Sequence, residues 1–191
     1  MIDMRWPLRL PDELTDGVVS LRPYDQADST AMFNALADVR AWEHIPHPIP
    51  VSPVELDMAI QGNLADGQRV SLTVRSGGRV VGMTAVLYDA NDAAGVEVGG
   101  TQLDPAIWGT GVNGRAKRLL IAAIFEHGAD WIRFRTDERN GRSAAAIRKL
   151  GARDLGVHRD TRVRRDGTQR RSRMFRLDRP STDRDGAGDL L

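Results

Sequence analysis

Apolar residues recur along this chain at two spacings, every second residue in some segments and every third or fourth in others. The shorter spacing predicts a strand over residues 18–23, and the longer spacing predicts an amphipathic helix over residues 24–37. A loop interrupted by prolines, residues 42–50, precedes a second helix predicted over residues 52–64. The first third of the chain is therefore predicted to be one strand followed by two helices.

Three consecutive strands are predicted next. Residues 70–74 and 80–87 flank the glycine turn at 76–79, which is typical of a β-hairpin. A third apolar segment, residues 95–103, follows the polar turn at 89–92. Together these segments predict an antiparallel meander.

Helices and strands alternate in the last part of the chain. We expect a helix over residues 114–127, a strand over 131–136 and a helix over 140–150, because a glycine follows the end of each helix. Two final strands are predicted over residues 152–158 and 170–177. The full order is β-α-α-β-β-β-α-β-α-β-β.

Length and composition are those of one globular domain. The chain has 191 residues, of which 41% are hydrophobic and 28% are charged. We expect one domain over residues 1–178 and a polar, disordered tail over residues 179–191. No apolar run approaches the roughly 18 residues that a membrane span requires, so no membrane partner is expected.

Charge and cysteine content exclude several classes of function. A net charge of +1 gives no overall attraction to a polyanion, so no nucleic-acid partner is expected. The absence of cysteine excludes disulfides, thiolate catalysis and zinc sites built on cysteine. The first residues include an acid and a proline in place of an apolar signal core, which favours a cytoplasmic location.

A glycine loop lies between the third strand of the meander and the next helix. Free amides at the start of that helix would favour a phosphate group. Gly109, Gly111 and Gly114 have the G-x-G-x-x-G spacing of a dinucleotide-binding loop, and Asp137 follows Gly114 by 23 residues. However, the five residues 104–108 separate the loop from its strand, which weakens the interpretation as an oxidoreductase. A tight turn with no ligand is the other alternative.

The same loop also imitates a nucleoside triphosphate loop. That motif requires a lysine and a hydroxyl residue after its last glycine, where this chain has Arg115 and Ala116. The sequence therefore excludes this class of site.

At the level of the whole chain, the order of elements and five short motifs resemble the GNAT superfamily of N-acetyltransferases, particularly its RimJ/RimL-like branch of ribosomal-protein N-terminal acetyltransferases. The resemblance covers residues 18–177. The motifs are Ser-Leu-Arg-Pro at 20–23, Leu-Asp-Pro at 103–105, Trp-Gly-Thr-Gly-Val-Asn at 108–113, Arg-Thr-Asp-Glu-Arg-Asn-Gly-Arg-Ser at 135–143 and Lys-Leu-Gly-Ala at 149–152. Trp108 and Asn113 depart from the family's usual acyl-CoA loop.

This resemblance implies an α+β fold, an α/β/α sandwich whose mixed, mostly antiparallel sheet has about seven strands. It implies an enzyme that transfers an acyl group, expected to be acetyl, from acyl-CoA to a primary amine by direct attack in a ternary complex. Acetyl-CoA is then the cosubstrate, no metal is required, and a homodimer is common in the family. The acceptor is a small molecule or a protein N-terminus.

The resemblance also implies which residues bind acyl-CoA. Gly99 and Gly100 would form a bulge where two strands part, so that Gln102 and Leu103 face the pantetheine arm. The Leu103 amide would lie near the thioester carbonyl. The complete set implied for acyl-CoA is Gln102, Leu103, Trp108, Gly109, Thr110, Gly111, Val112, Asn113, Gly114, Asn140 and Ser143.

Two residues are candidates for proton transfer. Glu97 lies on an apolar strand and is a candidate general base, although a salt-bridged glutamate explains it equally well. Ser143 is a candidate acid for the departing thiolate. Asn140 as an N-cap with Ser143 three residues later explains both residues without chemistry.

The proline-rich loop and the arginine-rich end remain as candidate contacts. By the resemblance, Trp42 and His44 would contact the acceptor, while a surface loop with a packed tryptophan is the alternative. His44 and His47 alone do not indicate a metal site. Eight arginines between residues 153 and 173 suit a nucleic-acid-binding module, a phosphate of CoA or a solvated surface.

Overall fold

The computed structural model describes residues 4–180. The strands are β1 (Leu14–Thr15), β2 (Val19–Pro23), β3 (Arg69–Ser76), β4 (Arg79–Tyr88), β5 (Gly95–Leu103), β6 (Trp131–Asp137), β7 (Arg153–Val163) and β8 (Gln169–Asp178). The helices are α1 (Ser29–Ala35), α2 (Pro53–Leu64), α3 (Val112–Glu126) and α4 (Gly141–Arg148). All but the first two residues of the predicted tail, 181–191, lie outside the described residues.

One eight-stranded sheet runs through the described part of the chain in the order β1-β2-β3-β4-β5-β6-β8-β7. Neighbouring strands are antiparallel except β5 and β6, which are parallel and joined by α3. The predicted α+β fold with a mixed, mostly antiparallel sheet is thus confirmed. Among residues 4–180, no helix combines the length and apolar character needed to cross a bilayer.

The differences from the predicted elements have local causes. The extra strand, β1, is only two residues long, too short to show a period. The helix predicted over 24–37 begins at Ser29, because Asp25 accepts a hydrogen bond from the Ala27 amide and starts a 3-10 turn first. The helix predicted from residue 114 begins at Val112, because Gly111 already serves as its N-cap.

The sheet opens between β5 and β6. Gly95–Val98 pair with Trp131–Phe134, after which β5 stays with β4 and β6 stays with β8. On β5, Gly99 pairs with Ala85 and Gln102 pairs with Met83, so two residues of β5 face one of β4. This is the predicted bulge, and a gap follows it between residues 99–103 and 135–137.

The two faces of the sheet differ in character beside this gap. Val96, Val98 and Phe134 point to the face covered by α3 and α4, where they join the main hydrophobic core. A smaller core between the sheet and α1 and α2 covers part of the other face. Next to it, Glu97 and Arg135 give the second face a charged surface. The gap is therefore apolar on one side and polar on the other.

Candidate active site

The glycine loop presents free amides at the start of α3. Gly111 is the N-cap with φ +90°, and no side chain caps the helix. The first intrahelical bond joins the Arg115 amide to the Gly111 carbonyl, so the amides of residues 112–114 have no acceptor within the helix. A Cβ placed on Gly109 or Gly111 would meet no atom within 4 Å. This open cradle fits a diphosphate group.

Other loop residues have structural partners. The Thr110 amide and hydroxyl both donate to the Ile107 carbonyl, at 3.3 and 2.7 Å. Both donors of Thr110 thus have a partner within the loop, and its role in acyl-CoA binding stays a prediction. By contrast, Asn113 Oδ1, in the first turn of α3, is buried with no hydrogen-bond partner among residues 4–180.

The end of β5 borders the gap as predicted. The Asp104 amide donates to the Val81 carbonyl at 2.9 Å. Because such pairs alternate along an antiparallel ladder, the amide and carbonyl of Leu103 point away from β4 and into the gap. That carbonyl accepts a hydrogen bond from the Trp108 indole at 3.1 Å. Gln102 is buried, and its Nε2 has no partner in the described structure.

A stacked pair joins the two sides of the gap at the glycine loop. The Arg142 guanidinium carbon lies 3.4 Å from the ring centroid of Trp108. Trp108 follows β5, whereas Arg142 lies in the first turn of α4 after β6. The pair therefore connects the loop to α4 across the gap.

The start of α4 has the capping arrangement that the sequence allows. Asn140 Oδ1 accepts a hydrogen bond from the Ser143 amide at 2.9 Å. The Ser143 hydroxyl is half-buried and makes no hydrogen bond within residues 4–180. Asn140 thus has a structural role, while Ser143 keeps a free hydroxyl near the gap.

Variants at these two residues separate stability from chemistry. Asn140→Ala is expected to lower the free energy of unfolding by about 0.5–2 kcal/mol, because α4 loses its cap. If Ser143 protonates the departing thiolate, Ser143→Ala lowers turnover with little change in melting temperature. The loss then shrinks with an acyl donor whose thiol is a better leaving group. Normal turnover of a stable Ser143→Ala would remove the serine from the mechanism.

Glu97 lies in an ion-pair network on the polar face. Its carboxylate accepts hydrogen bonds from Arg135 at 2.6 and 3.1 Å and from Arg133 at 3.1 Å. Arg133 also pairs with Asp89 at 2.7 Å. This is the salt-bridged alternative, since both carboxylate oxygens already accept guanidinium protons. Three guanidinium hydrogen bonds to one carboxylate favour a structural role for Glu97.

A cavity of about 560 Å³ opens on the same face as Glu97. Its walls are the loop Glu43–Pro46, Asp137 at the end of β6 with Arg139 after it, and the β7–β8 turn with the start of β8. Because Asp137 also ends the strand that borders the gap, the cavity adjoins the gap. An acceptor amine could reach the gap by this route.

Arginines from the β7–β8 hairpin hold the cavity together. Arg165 donates to the Trp42 carbonyl at 2.7 Å, and Arg170 donates to the His44 carbonyl at 3.1 Å. Arg164 forms a two-pronged pair with Asp137, at 2.8 and 3.0 Å. These arginines have internal partners, so a nucleic-acid surface is not supported. Because Asp137 pairs with Arg164, its carboxylate is not free to bind a ribose hydroxyl, as the dinucleotide-binding interpretation requires.

The two predicted acceptor residues have different positions. Trp42 is buried in the smaller core, and its indole donates to the Leu36 carbonyl at 2.8 Å. This burial favours the alternative of a packed tryptophan, and contact of Trp42 with the acceptor stays a prediction. His44 does line the cavity. Burial lowers the pKa of His44 below its usual value of 6.5, against the opposing charges of Glu43 and Asp137.

Sequence reasoning missed a buried cation beneath the bulge. The Lys117 ammonium on α3 donates to the hydroxyls of Thr84 and Thr101, at 2.6 and 2.7 Å. It forms no salt bridge among residues 4–180, and its burial lowers the pKa to about 7. The one sequence signal was that only two lysines occur in the chain and that this one lies in an amphipathic helix.

Comparisons with known proteins agree with this arrangement. The model of the acetyltransferase (GNAT) domain matches residues 19–153. A protein of T. thermophilus assigned as an acetyltransferase is 29% identical, with 88% of this chain and 89% of that chain covered and a TM-score of 0.78. For a GNAT-family protein of Chromobacterium violaceum the identity is 24%, the coverage 92% of both chains and the TM-score 0.81.

A third solved structure contains coenzyme A. It is RimL, a ribosomal L7/L12 alpha-N-protein acetyltransferase, with 16% identity, coverage of 87% of this chain and 97% of that chain, and a TM-score of 0.76. No curated protein matches the chain. Because the domain match spans well over half of the 191 residues, the chain belongs to the GNAT acetyltransferase family and is an enzyme that transfers an acyl group from coenzyme A to an amine.

Proposed function

We propose that this enzyme transfers an acetyl group from acetyl-CoA to the primary amine of a small molecule or a protein N-terminus, in a ternary complex. One observation carries the proposal. The gap between β5 and β6 has the free amides of α3 on one side and the cavity of about 560 Å³ on the other. Donor and acceptor can therefore meet from opposite faces of the sheet.

Acetyl-CoA is a substrate here, and the residues around the gap suit its parts. The amides of residues 112–114 would bind the diphosphate. The buried Asn113 Oδ1 would accept a hydrogen bond from an N–H or O–H group of the same ligand. The Leu103 amide points into the gap, where it would donate to the thioester carbonyl and stabilise the charge that develops on its oxygen.

For the acceptor proton, we favour His44 over the predicted base Glu97. A base must be unprotonated and must reach the acceptor. His44 lines the cavity, and its lowered pKa keeps the imidazole neutral at pH 7. Glu97 instead accepts hydrogen bonds from Arg133 and Arg135, so we assign it a role in holding β5 beside β6.

The pH dependence of turnover distinguishes the two residues. We expect kcat/KM to rise with pH through an ionisation below 6.5, because His44 must lose its proton before it can accept one from the amine. His44→Gln should lower turnover by about 10²–10⁴ and remove this ionisation. Glu97→Gln should keep the ionisation and lower the melting temperature, because two guanidinium groups lose a partner.

The opposite result would assign the base role to Glu97. In that case Glu97→Gln would lose the ionisation while its melting temperature stayed unchanged.

An acceptor screen that follows release of free CoA would identify the amine. The proposal also includes a cytoplasmic location, supported by the absence of cysteine, and a homodimer, which light scattering of the purified chain would test.

A further inference from the structure

Arg69 places its guanidinium over the bulge in β5. Arg69 pairs with Leu87 across β3 and β4, and Leu87 pairs with Glu97 across β4 and β5, so the three side chains share the polar face. A Cβ placed on Gly100 would collide with Arg69 Nη2. The guanidinium therefore occupies the space that the missing side chain of Gly100 leaves, directly beside the gap.

This guanidinium has no anionic partner within residues 4–180. The Arg69 side chain forms no salt bridge and no hydrogen bond there, and its Nε is buried without an acceptor. Burial lowers the pKa of Arg69, and Asp66 and Glu97 oppose that effect only from a distance. The neighbouring arginines differ, since Arg135 pairs with Glu97 and Arg162 pairs with Asp160.

Positive charge extends from Arg69 toward the cavity. The pKa of His47 is lowered by its burial and by the charges of Arg162, Arg69 and Arg170. Arg170 also lines the cavity. An anion between the bulge and the cavity would therefore find a positive potential and an unpaired guanidinium, whose planar donors match the two oxygens of a carboxylate.

We propose that Arg69 binds a carboxylate of the acceptor, so that the preferred acceptor is an amine that carries a carboxylate close to it. The inference rests on the proposed function, because it places the acceptor at the gap. A free amino acid and a peptide with an acidic side chain near its N-terminus both have this chemistry. An amine without a negative charge leaves the Arg69 guanidinium without an anionic partner and so gains no affinity from it.

Matched pairs of acceptors test the proposal. Each amino acid is compared with its amide. The dipeptide Ser-Asp is compared with Ser-Asn, both with an amidated C-terminus, so that only the side-chain carboxylate differs. We expect kcat/KM to favour the carboxylate at least about tenfold in one of the two series, which also identifies the source. Arg69→Gln should bring this ratio close to one, mainly by raising KM for the carboxylate. Arg69→Lys should keep part of the preference.

Arg162→Gln is the matched control, because it removes a charge from the same face but one that Asp160 already neutralises. We expect this variant to keep the preference. An equal loss of turnover for both members of a pair in Arg69→Gln would overturn the proposal, since the arginine would then act on the reacting carbonyl or on the fold. A ratio near one in the unsubstituted enzyme would overturn it as well.

Calorimetry separates this inference from the proposed function. The N-acetylated product of each acceptor is titrated into the enzyme in the presence of CoA, so no turnover is needed. If the carboxylate product binds more tightly than its amide and Arg69→Gln loses this difference, the carboxylate site is supported. An absence of acetylation of every amine would then contradict only the proposed function. Equal binding of both products contradicts the carboxylate site.

Discussion

Between pH 7.5 and 10, the free energy of unfolding of the unsubstituted protein is expected to rise relative to that of Lys117→Met. The expected rise is about 1.4 kcal/mol for each pH unit. The pKa of Lys117 is about 7 in the folded chain, against 10.5 for an ordinary lysine. In this range the unfolded chain binds more protons, so the stability of the unsubstituted protein rises with pH. Methionine has no such dependence, so the difference in stability between the two proteins shifts toward the unsubstituted protein as the pH rises.

The substitution leaves the surrounding structure intact. Methionine has a similar length, and the Thr84 and Thr101 hydroxyls remain 2.9 Å apart, so they can bond to each other. Urea unfolding at several pH values measures the effect. The control is Lys149→Met, which changes the other lysine, an exposed one. Parallel stability curves for Lys117→Met and the unsubstituted protein would mean that Lys117 stays charged in the fold.

Gly111→Val is expected to weaken acetyl-CoA binding at least about tenfold, measured as the Kd by calorimetry. Gly111 has φ +90°, which a β-branched residue adopts only with strain of about 1–2 kcal/mol. Its Cβ would meet no protein atom within 4 Å, so the fold has room for it. The added side chain would instead cover the amides of residues 112–114.

Gly78→Val controls for the strain. Gly78 has φ +77° in the β3–β4 turn, and a Cβ there also meets no atom within 4 Å. We expect similar losses of melting temperature in both variants, with a change in Kd only for Gly111→Val. If Gly111→Val binds acetyl-CoA as tightly as the unsubstituted enzyme, the diphosphate must bind elsewhere.

Features set by neighbouring residues could be predicted from the sequence. The glycines at 99 and 100 predicted the bulge, because few other residues adopt φ +57°, the value found at Gly100. Asn140 was recognisable as a cap, since its partner is only three residues away. The alternation around Glu97 also gave its face of the sheet correctly, because that depends on the strand alone.

Features set by distant residues could not be predicted in this way. The partners of Glu97 lie 36 and 38 residues further along the chain, on a strand whose neighbour is decided by the whole sheet. The bond from Arg165 to the Trp42 carbonyl spans 123 residues. The sequence allowed Trp42 to be a substrate contact or a packed residue, and its packing in the core beside α2 depends on residues far from it in the chain.

The stack of Arg142 on Trp108 gives the enzyme an optical probe of its own. The chain has four tryptophans, of which Trp42 is buried in the smaller core, Trp131 is buried beside two arginines and Trp6 packs against Tyr88. Trp108 alone among them adjoins both the glycine loop and the gap, with a guanidinium 3.4 Å from its ring. A ligand that enters the gap must change the surroundings of this indole, so its fluorescence emission reports donor binding without any label.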